Sequence, residues 1–313
     1  MGDVVVRAGG RYADSGFVGT NGIHQYLQGI IQNVANGNIV TLNYSYSQIN
    51  LSKMNITVTH IDGPCILLEI NGFKIITDPT LDSAGKMYHH GFGSISRKTD
   101  NPVLNDSTLK NIDLILLSHH QHKDNFDNKG REFAKTVPLI LTTKNGSKKL
   151  SNAVGLNNWE SYAINTPKLK GLKITAIPAQ HHPSWLPAFF AGKVIGFIIE
   201  YEGQEQGVIY ISGDTVFFDE FNEIAKRFKI DIGIFHVGSA QFPYLSGKGR
   251  YTMNSNDLIK AVEVLKPNKV IPIHHKGWSH FKEKEDVMKN NLSNNELTKE
   301  KTIFLSSGKP EKL

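Results

Sequence analysis

The chain has 313 residues, of which 39% are hydrophobic and 20% are charged, and its formal net charge is +6. This composition excludes a disordered chain, and the length suits one large domain or two small ones. The basic residues are scattered, which argues against a nucleic-acid partner and leaves a mild preference for anionic small-molecule substrates as one option.

Three features predict a protein of the cytoplasm. Cys65 is the only cysteine, so no disulfide can form within the chain, which suits a reducing compartment. No apolar run approaches the ~20 residues that span a bilayer. The N-terminus lacks the basic and apolar regions of a secretory signal. We therefore expect no transmembrane segment, and the sequence is compatible with a homo-oligomer.

Residues 1–52 are predicted to be an N-terminal extension, followed by one main domain over residues 53–313. The extension is rich in glycine and asparagine and has few charges. Its stretch GIHQYLQGIIQNVANGN (22–38) has apolar residues at helical spacing, and Gly37 is suited to end a helix.

From residue 55 onward the sequence is rich in strand signals. ITVTHID, CILLEING and FKIITDP are predicted to be consecutive strands, with a hairpin turn at Asn71 and Gly72. The apolar run 112–117 is typical of a buried strand.

The second half alternates strands with helices. Strands are predicted in LKITAIPAQ, VIGFIIEYEG, GVIYISGD, IDIGIFHVG and KVIPIHH. Helices are predicted over 219–228 and over 254–267, and the polar stretch 282–301 is expected to be an exposed helix. Hairpins followed by strand–helix alternation, occurring twice, predict two sheets with helices outside them.

Four of these strands run directly into residues that can bind a metal ion. The residues are His119, His120, His122 and Asp124 after the first strand, His181 and His182 after the second, Asp214 after the third, and His274, His275 and His280 after the fourth. Imidazole and carboxylate ligands together suit zinc, and also manganese or iron. Because strands are rigid, ligands at their ends are held in place with little loss of entropy.

The order of these motifs resembles the metallo-β-lactamase superfamily. In that family a His-x-His-x-Asp-His cluster, a lone His, an Asp and a final His stand at strand ends. The resemblance runs from about residue 55 to 281, and ITDPTLD, ISGDTVFF and VIPIHHKGWSHF are similar to the branch of ascorbate-6-phosphate lactonase and N-acyl-phosphatidylethanolamine phospholipase. SHHQHKDNFD resembles Ser-His-Asp-Gln-His-x-Asp-Asn-Leu-Asp in related bacterial hydrolases. The resemblance implies an α/β fold, a four-layer αββα sandwich of two mixed β-sheets flanked by helices.

The resemblance also implies a set of metal ligands. A first metal would be held by His119 or His120 together with His122 and His181, Asp214 would bridge, and Asp124 and His274 would complete a second position. Counting back from Asp124 favours His120, whereas counting forward from Ser118 favours His119; we prefer His119 and keep His120 as the alternative.

Asn125 departs from the family pattern because it stands where the family has the last histidine of its cluster. Asn is a poorer ligand than imidazole, so the site is expected to hold one metal tightly or to prefer a harder ion such as Mn²⁺. Asp78 is expected to fix the metal loop by hydrogen bonds. Asn125, His182, Trp278 and His280 are predicted to lie at the substrate pocket. His89 and His90 are expected in a glycine-flanked surface loop, with a loop that rims the site as the alternative, and no role is assigned to His236.

These motifs predict a metal-dependent hydrolase with one or two Zn²⁺ ions, Mn²⁺ and Fe²⁺ being alternatives. A divalent ion lowers the pKa of bound water to roughly 7, giving hydroxide at neutral pH. Asp124 or Asp214 would orient that hydroxide and pass its proton to the leaving group. The substrate would be an ester, lactone, amide or phosphodiester. The alternative is a metal-binding sensor or scaffold that keeps the fold without hydrolysis.

Overall fold

The computed structural model describes residues 4–5, 41–42, 55–91, 93–105, 108–183, 185–186 and 192–313. The chain divides into two units, Met1–Lys53 and Met54–Leu313. In the first unit, β1 (Val4–Val5) pairs antiparallel with β2 (Thr41–Leu42). The helix predicted over 22–38 lies outside the described residues, and the N-terminal extension as a separate domain stays a prediction.

The second unit contains a mixed sheet of seven strands. They are β3 (Ile56–Asp62), β4 (Cys65–Ile70), β5 (Phe73–Thr77), β8 (Leu114–Leu116), β9 (Ile140–Thr143), β10 (Ala153–Leu156) and β17 (Pro310–Lys312). Their spatial order is β10-β9-β8-β5-β4-β3-β17. Strands β5, β8, β9 and β10 run parallel, and the rest pair antiparallel. The predicted turn at Asn71 and Gly72 joins β4 to β5. Both residues have positive φ, as this type of hairpin turn requires.

A second mixed sheet of six strands carries the later motifs. They are β11 (Ser161–Ala163), β12 (Lys173–Pro178), β13 (Ile195–Glu200), β14 (Val208–Ile211), β15 (Ile230–His236) and β16 (Lys269–Ile273), in this spatial order. The first four pair antiparallel, whereas β14, β15 and β16 are parallel neighbours. The carboxyl ends of these last three strands therefore meet at one edge of the sheet.

A separate two-stranded hairpin, β6 (Met87–Gly91) and β7 (Ser94–Arg97), lies between β5 and β8 in the sequence. Six helices are described: α1 (Asn128–Ala134), α2 (Lys144–Ser147), α3 (Phe221–Arg227), α4 (Pro243–Ser246), α5 (Ser255–Leu265) and α6 (Glu285–Asn294). The predicted helices over 219–228 and 254–267 are α3 and α5. The exposed helix expected over 282–301 is shorter and half-embedded, since α6 buries Met288 and Leu292.

The layers follow from the alternation of side chains along the strands. Phe197 and Ile199 of β13 face the first sheet in a core shared by both sheets, whereas Ile198 faces the helices. Helices α3, α5 and α6 cover that outer face, and α1 covers the outer face of the first sheet through Ala134. The predicted four-layer αββα sandwich is confirmed. Within the described ranges, every helix is too short or too polar to serve as a membrane span.

Candidate metal centre

The loop after β8 is fixed by a buried carboxylate. Asp78, directly after β5, has a positive φ of 33° and accepts hydrogen bonds from the Ser118 backbone N–H (2.7 Å) and hydroxyl (2.9 Å). The Ser118 hydroxyl oxygen lies 2.9 Å from His119 Nδ1. Because Ser118 donates its proton to Asp78, it can accept one from His119. This series of hydrogen bonds orients the His119 ring. The bond from the Ser118 backbone to Asp78 also fixes the loop, as the sequence predicted for Asp78.

Three histidines converge in what we call the first trio: His119, His122 and His181. His122 Nδ1 lies 3.1 Å from both His119 Nε2 and His181 Nε2. His119 and His181 are buried and His122 is half-buried. One ligand atom from each residue lies within 4.8 Å of the others, so the three together could hold a metal ion.

Three further residues form what we call the second trio: Asp214, His236 and His274. They follow or end β14, β15 and β16, the three parallel neighbours, and all three are fully buried. His236 Nδ1 lies 2.8 Å from Asp214 Oδ1, and His274 Nδ1 lies 3.4 Å from the same oxygen. This trio also meets the distance limit for a shared ion.

Asp214 stands between the trios, and the backbone is unusual at the preceding Gly213 and at His274. Gly213 has a φ of 61°, and a Cβ there would lie 2.5 Å from the Ile195 carbonyl oxygen, so only glycine fits. Asp214 Oδ2 lies 3.8 Å from His181 Nε2 of the first trio, while Oδ1 faces the second. His274 also has a positive φ, 60°, a conformation that costs energy for a non-glycine residue and that is common at functional sites.

Asp124 is held by two histidines that the ligand motif did not include. His90 Nδ1 lies 3.2 Å from Asp124 Oδ1, and His280 Nε2 lies 2.9 Å from Oδ2. His274 Nε2 is 3.8 Å from Oδ2. The expectation that His90 lies in a surface loop is wrong: it is 9% exposed on strand β6, and its Nε2 is 2.7 Å from the Ser96 hydroxyl across the hairpin.

His119 rather than His120 points into the first trio. The His120 ring belongs to neither trio, and its carbonyl accepts a hydrogen bond from Arg131 on α1. Burial, and next the Arg131 guanidinium, lower the pKa of His120. Two successive side chains after a strand point in different directions, so only one of this pair can face the other two histidines.

A cavity of about 380 Å³ opens at the first trio and Asp124. Polar side chains line one part of it and apolar side chains the rest. The lining residues are His90, Gly91, Ser94, His122, Asp124, His181, Leu186, Ala240, Phe242, Leu245, Tyr251 and His280. No lysine or arginine of the described residues is among them, and no member of the second trio is.

Of the four residues predicted at the pocket, only His280 lines this cavity. Asn125 is fully buried, and its amide has no hydrogen-bond partner in the part of the chain that the structure describes. His182 Nδ1 is 2.9 Å from the Pro183 carbonyl oxygen. Trp278 is 3% exposed, with its ring 5.2 Å from that of Tyr88, so it packs behind the cavity wall. Asn125, His182 and Trp278 therefore lie outside the lining of this cavity.

A buried ion pair supports the hairpin that carries His90. Lys98 and Asp62 are in direct contact, both almost fully buried, and Lys98 Nζ lies 5.0 Å from the centre of the Trp278 ring. Burial raises the pKa of Asp62 to about 6, although Lys98 opposes the shift. The adjacent backbone is tied to the loop that carries His280: Ser279 N donates to Arg97 O at 2.9 Å.

Burial lowers the pKa of three histidines of the centre, His119, His122 and His274, and so favours their neutral form. Burial, and next the repulsion from His181, lower the pKa of His122 to about 3. Burial also lowers the pKa of His274 to about 4. Burial alone raises the pKa of Asp214, but His274 and the hydrogen bond from His236 outweigh it and hold that pKa well below its ordinary value. Neutral imidazoles and an ionised carboxylate are the forms that bind metal ions.

Comparisons with known proteins agree with this fold and site. The model of the β-lactamase superfamily domain matches residues 57–274. A UPF0173 metal-dependent hydrolase of Nanoarchaeum equitans is 31% identical over 186 residues, which cover 56% of this chain and 75% of that protein. One from Natranaerobius thermophilus is 24% identical, covering 78% and 93%.

Solved structures show the same fold. A possible metal-dependent hydrolase from Veillonella parvula superposes with a TM-score of 0.69 at 20% identity, covering 83% of this chain and all of that one. The isothiocyanate hydrolase from Delia radicum gut bacteria superposes with a TM-score of 0.66 at 22% identity, covering 82% and 98%.

An αββα sandwich with histidines and aspartates gathered at its strand ends defines the class of metallo-β-lactamase-fold proteins. The chain belongs to the β-lactamase superfamily and, within it, to the metal-dependent hydrolases.

Proposed function

We propose that the first trio and Asp214 hold a divalent cation and that this centre hydrolyses an uncharged acyl compound. The observation that carries the proposal is the direction of the imidazole lone pairs. His181 Nδ1 lies 2.8 Å from the Tyr251 carbonyl oxygen, which can only accept, so this nitrogen carries the proton. His119 Nδ1 likewise faces the acceptor lone pair of Ser118.

With the proton on Nδ1, both rings turn Nε2 towards the same nitrogen, His122 Nδ1. That nitrogen has at most one proton to share between two acceptors at 3.1 Å, so a cation placed among the three nitrogens would satisfy lone pairs that one hydrogen bond cannot. Asp214 Oδ2 is buried beside them and has no hydrogen-bond partner within the described ranges. Three imidazoles and a carboxylate fit Zn²⁺, and they also accept Mn²⁺ or Fe²⁺.

A divalent ion in this position supplies Lewis acidity and lowers the pKa of a water molecule to about 7. The chain contributes the positioning of substrate and protons. Of the two carboxylates predicted to be catalytic, Asp124 lines the cavity and Asp214 does not. We therefore assign proton transfer to Asp124, whose two oxygens are oriented by His90 and His280.

The walls of the cavity indicate the substrate class. Leu186, Phe242 and Leu245 give it an apolar side, and no described lysine or arginine is present to neutralise a phosphate. Esters, lactones and amides with an apolar acyl group suit it better than phosphodiesters or the anionic substrates suggested by the net charge. The small-molecule substrate and a location in the cytoplasm remain proposals.

Metal content and turnover in the same samples test this function. We expect the purified wild-type protein to bind a divalent ion and to hydrolyse apolar nitrophenyl esters faster than bis-p-nitrophenyl phosphate. His122→Ala should lose the ion and the turnover, whereas His120→Ala should keep both. Faster cleavage of the phosphodiester than of every ester would overturn the acyl assignment.

The alternative, a metal-binding sensor without hydrolysis, is favoured by one observation. Asn125 is buried in the ligand loop where it supplies no imidazole. A protein that retains its metal but turns over no ester, lactone, amide or phosphodiester would support the sensor and contradict the hydrolase.

A further inference from the structure

The second trio differs in construction from a group of residues that only supports the first trio through hydrogen bonds. Its three residues come from the ends of three adjacent parallel strands, so their backbones are held in one row. Asp214, His236 and His274 are each fully buried. Side chains at such positions lose little entropy when they bind an ion.

The ring nitrogens of this trio are short of partners. Among the described residues, His274 has no hydrogen-bond partner for either nitrogen and His236 has none for Nε2, which lies 3.9 Å from Asp78 Oδ2. A buried polar atom without a hydrogen bond destabilises the fold, because it has lost its hydration without gaining a partner. If His236 served only as a hydrogen-bond donor to Asp214, the His274 nitrogens would still lack a partner.

The two oxygens of Asp214 face opposite trios. Oδ2 lies 3.8 Å from His181 Nε2, whereas Oδ1 lies 2.8 Å from His236 Nδ1 and 3.4 Å from His274 Nδ1. A carboxylate with this arrangement can bind one cation through each oxygen. Asn125, in contrast, offers the second position no ring nitrogen.

We propose that His236 is a direct ligand of a second divalent cation, together with His274 and Asp214. The proposal rests on the proposed metal centre, because Asp214 would join the second cation to the first. Two imidazoles and a carboxylate suit Zn²⁺ or Co²⁺. His236 thus supplies the nitrogen that Asn125 cannot.

Cobalt(II) titration of the purified, metal-free protein tests this assignment without using activity. We expect two ions per wild-type chain and one per chain in His236→Asn. Asparagine keeps an N–H group that can donate to Asp214, but it lacks the ring nitrogen that would bind the second ion. If His236 only donates a hydrogen bond, His236→Asn should still bind two ions per chain. His60→Asn is the matched control, since His60 is a buried histidine that forms hydrogen bonds with Ser307 and Gly63 and belongs to neither trio.

A second variant reports the bond directly. In His236→Cys, a thiolate bound to cobalt would add a near-ultraviolet charge-transfer band that appears with the second equivalent of ion. Wild type and His60→Cys should lack it, because Cys65 is buried elsewhere. In the double variant with His122→Ala, which removes the first ion, the band should remain.

Two ions without the band in His236→Cys, or two ions in His236→Asn, would overturn the proposal. The proposal would also be overturned if the wild-type chain bound one ion and His122→Ala removed that ion. The proposed function would remain intact in that case. Absence of turnover with two bound ions would count only against the proposed function.

Discussion

The two trios differ in their access to the cavity and in the elements that hold them. The first trio combines a loop after β8 with His181 after β12, and two of its three members line the cavity. The second trio stands on three adjacent parallel strands, is fully buried and lines no part of the cavity. The side chains of the first trio can therefore meet a substrate, whereas those of the second trio face the cavity only through Asp214 and through Asp124, which lies 3.8 Å from His274 Nε2.

This difference separates two tasks that a metal centre combines. Ligands beside the cavity must leave room for substrate and water, so the loop that carries them needs outside support from Asp78 and Ser118. The side chains of the second trio stand at the ends of neighbouring parallel strands, which hold their backbones in position. Substitutions in the first trio should affect catalysis most directly.

The largest effect should come from changing one of two adjacent histidines. His119→Ala removes a ring of the first trio, and we expect ester hydrolysis to fall by far more than the about 100-fold typical of losing an outer partner. His120→Ala should stay within about twofold of wild type, since its ring lies outside both trios. Steady-state rates and metal content measure both. A larger loss of activity and metal in His120→Ala than in His119→Ala would show that the loop binds metal through His120.

The choice between His119 and His120 shows where sequence reasoning ends. The histidines after the buried strand were visible as a motif, and so were the strands and the αββα layers, because apolar alternation marks them. Which of two consecutive rings faces inward depends on the turn after β8, and that turn is set by hydrogen bonds between Asp78 and Ser118, 40 residues apart in the chain.

His236 and His90 were missed for different physical reasons. His236 ends an apolar strand as a single histidine, and such a residue is usually a structural one; only the order β14-β15-β16 brings it beside Asp214. His90 lies between glycines, which suggested a loop. Its burial comes from the pairing of the β6–β7 hairpin with residues 277–279, a contact distant in sequence.

Breaking the ion pair under the hairpin should have the next largest effect. Lys98→Met leaves the Asp62 carboxylate buried without its partner, which costs about 3–5 kcal/mol of unfolding free energy. Chemical denaturation measures the loss. Lys86→Met is the control, since its pair with Asp82 is half exposed and should contribute at most about 1 kcal/mol. Equal losses in the two variants would contradict the role of burial.

A histidine outside both trios should produce a smaller, pH-dependent effect. Burial lowers the pKa of His60 to about 4 from an ordinary 6.5. Between these values the unfolded chain binds a proton that the folded chain does not, so stability falls as the pH falls. From about pH 7 to pH 5 the loss should be about 2 kcal/mol.

The comparison of wild type with His60→Gln, both with a chelator present, isolates this contribution from the metal centre. The variant should lose about 2 kcal/mol less than wild type over the same pH range. A pH dependence unchanged by the substitution would assign the acid sensitivity to the buried histidines of the two trios instead.

The smallest effect should come from a change in the apolar wall of the cavity. Members of the first trio line this cavity, whereas the second trio lines no part of it. Phe242 stacks on His280, with ring centres 5.1 Å apart, and lies 5.7 Å from His90. Phe242→Ala removes apolar contact worth about 1.5 kcal/mol, so KM for an ester with an apolar acyl chain should rise about tenfold. Acetyl esters, which reach this wall less, should be affected less.

Metal occupancy distinguishes this effect from damage to the centre. Phe242→Ala should bind the same number of ions as wild type, because no ligand of either trio is changed. Phe133→Ala removes a phenyl ring that does not line the cavity and should leave KM unchanged. If the KM of short and long acyl esters rose equally, Phe242 would be acting through His280 and Asp124 rather than through contact with the acyl chain.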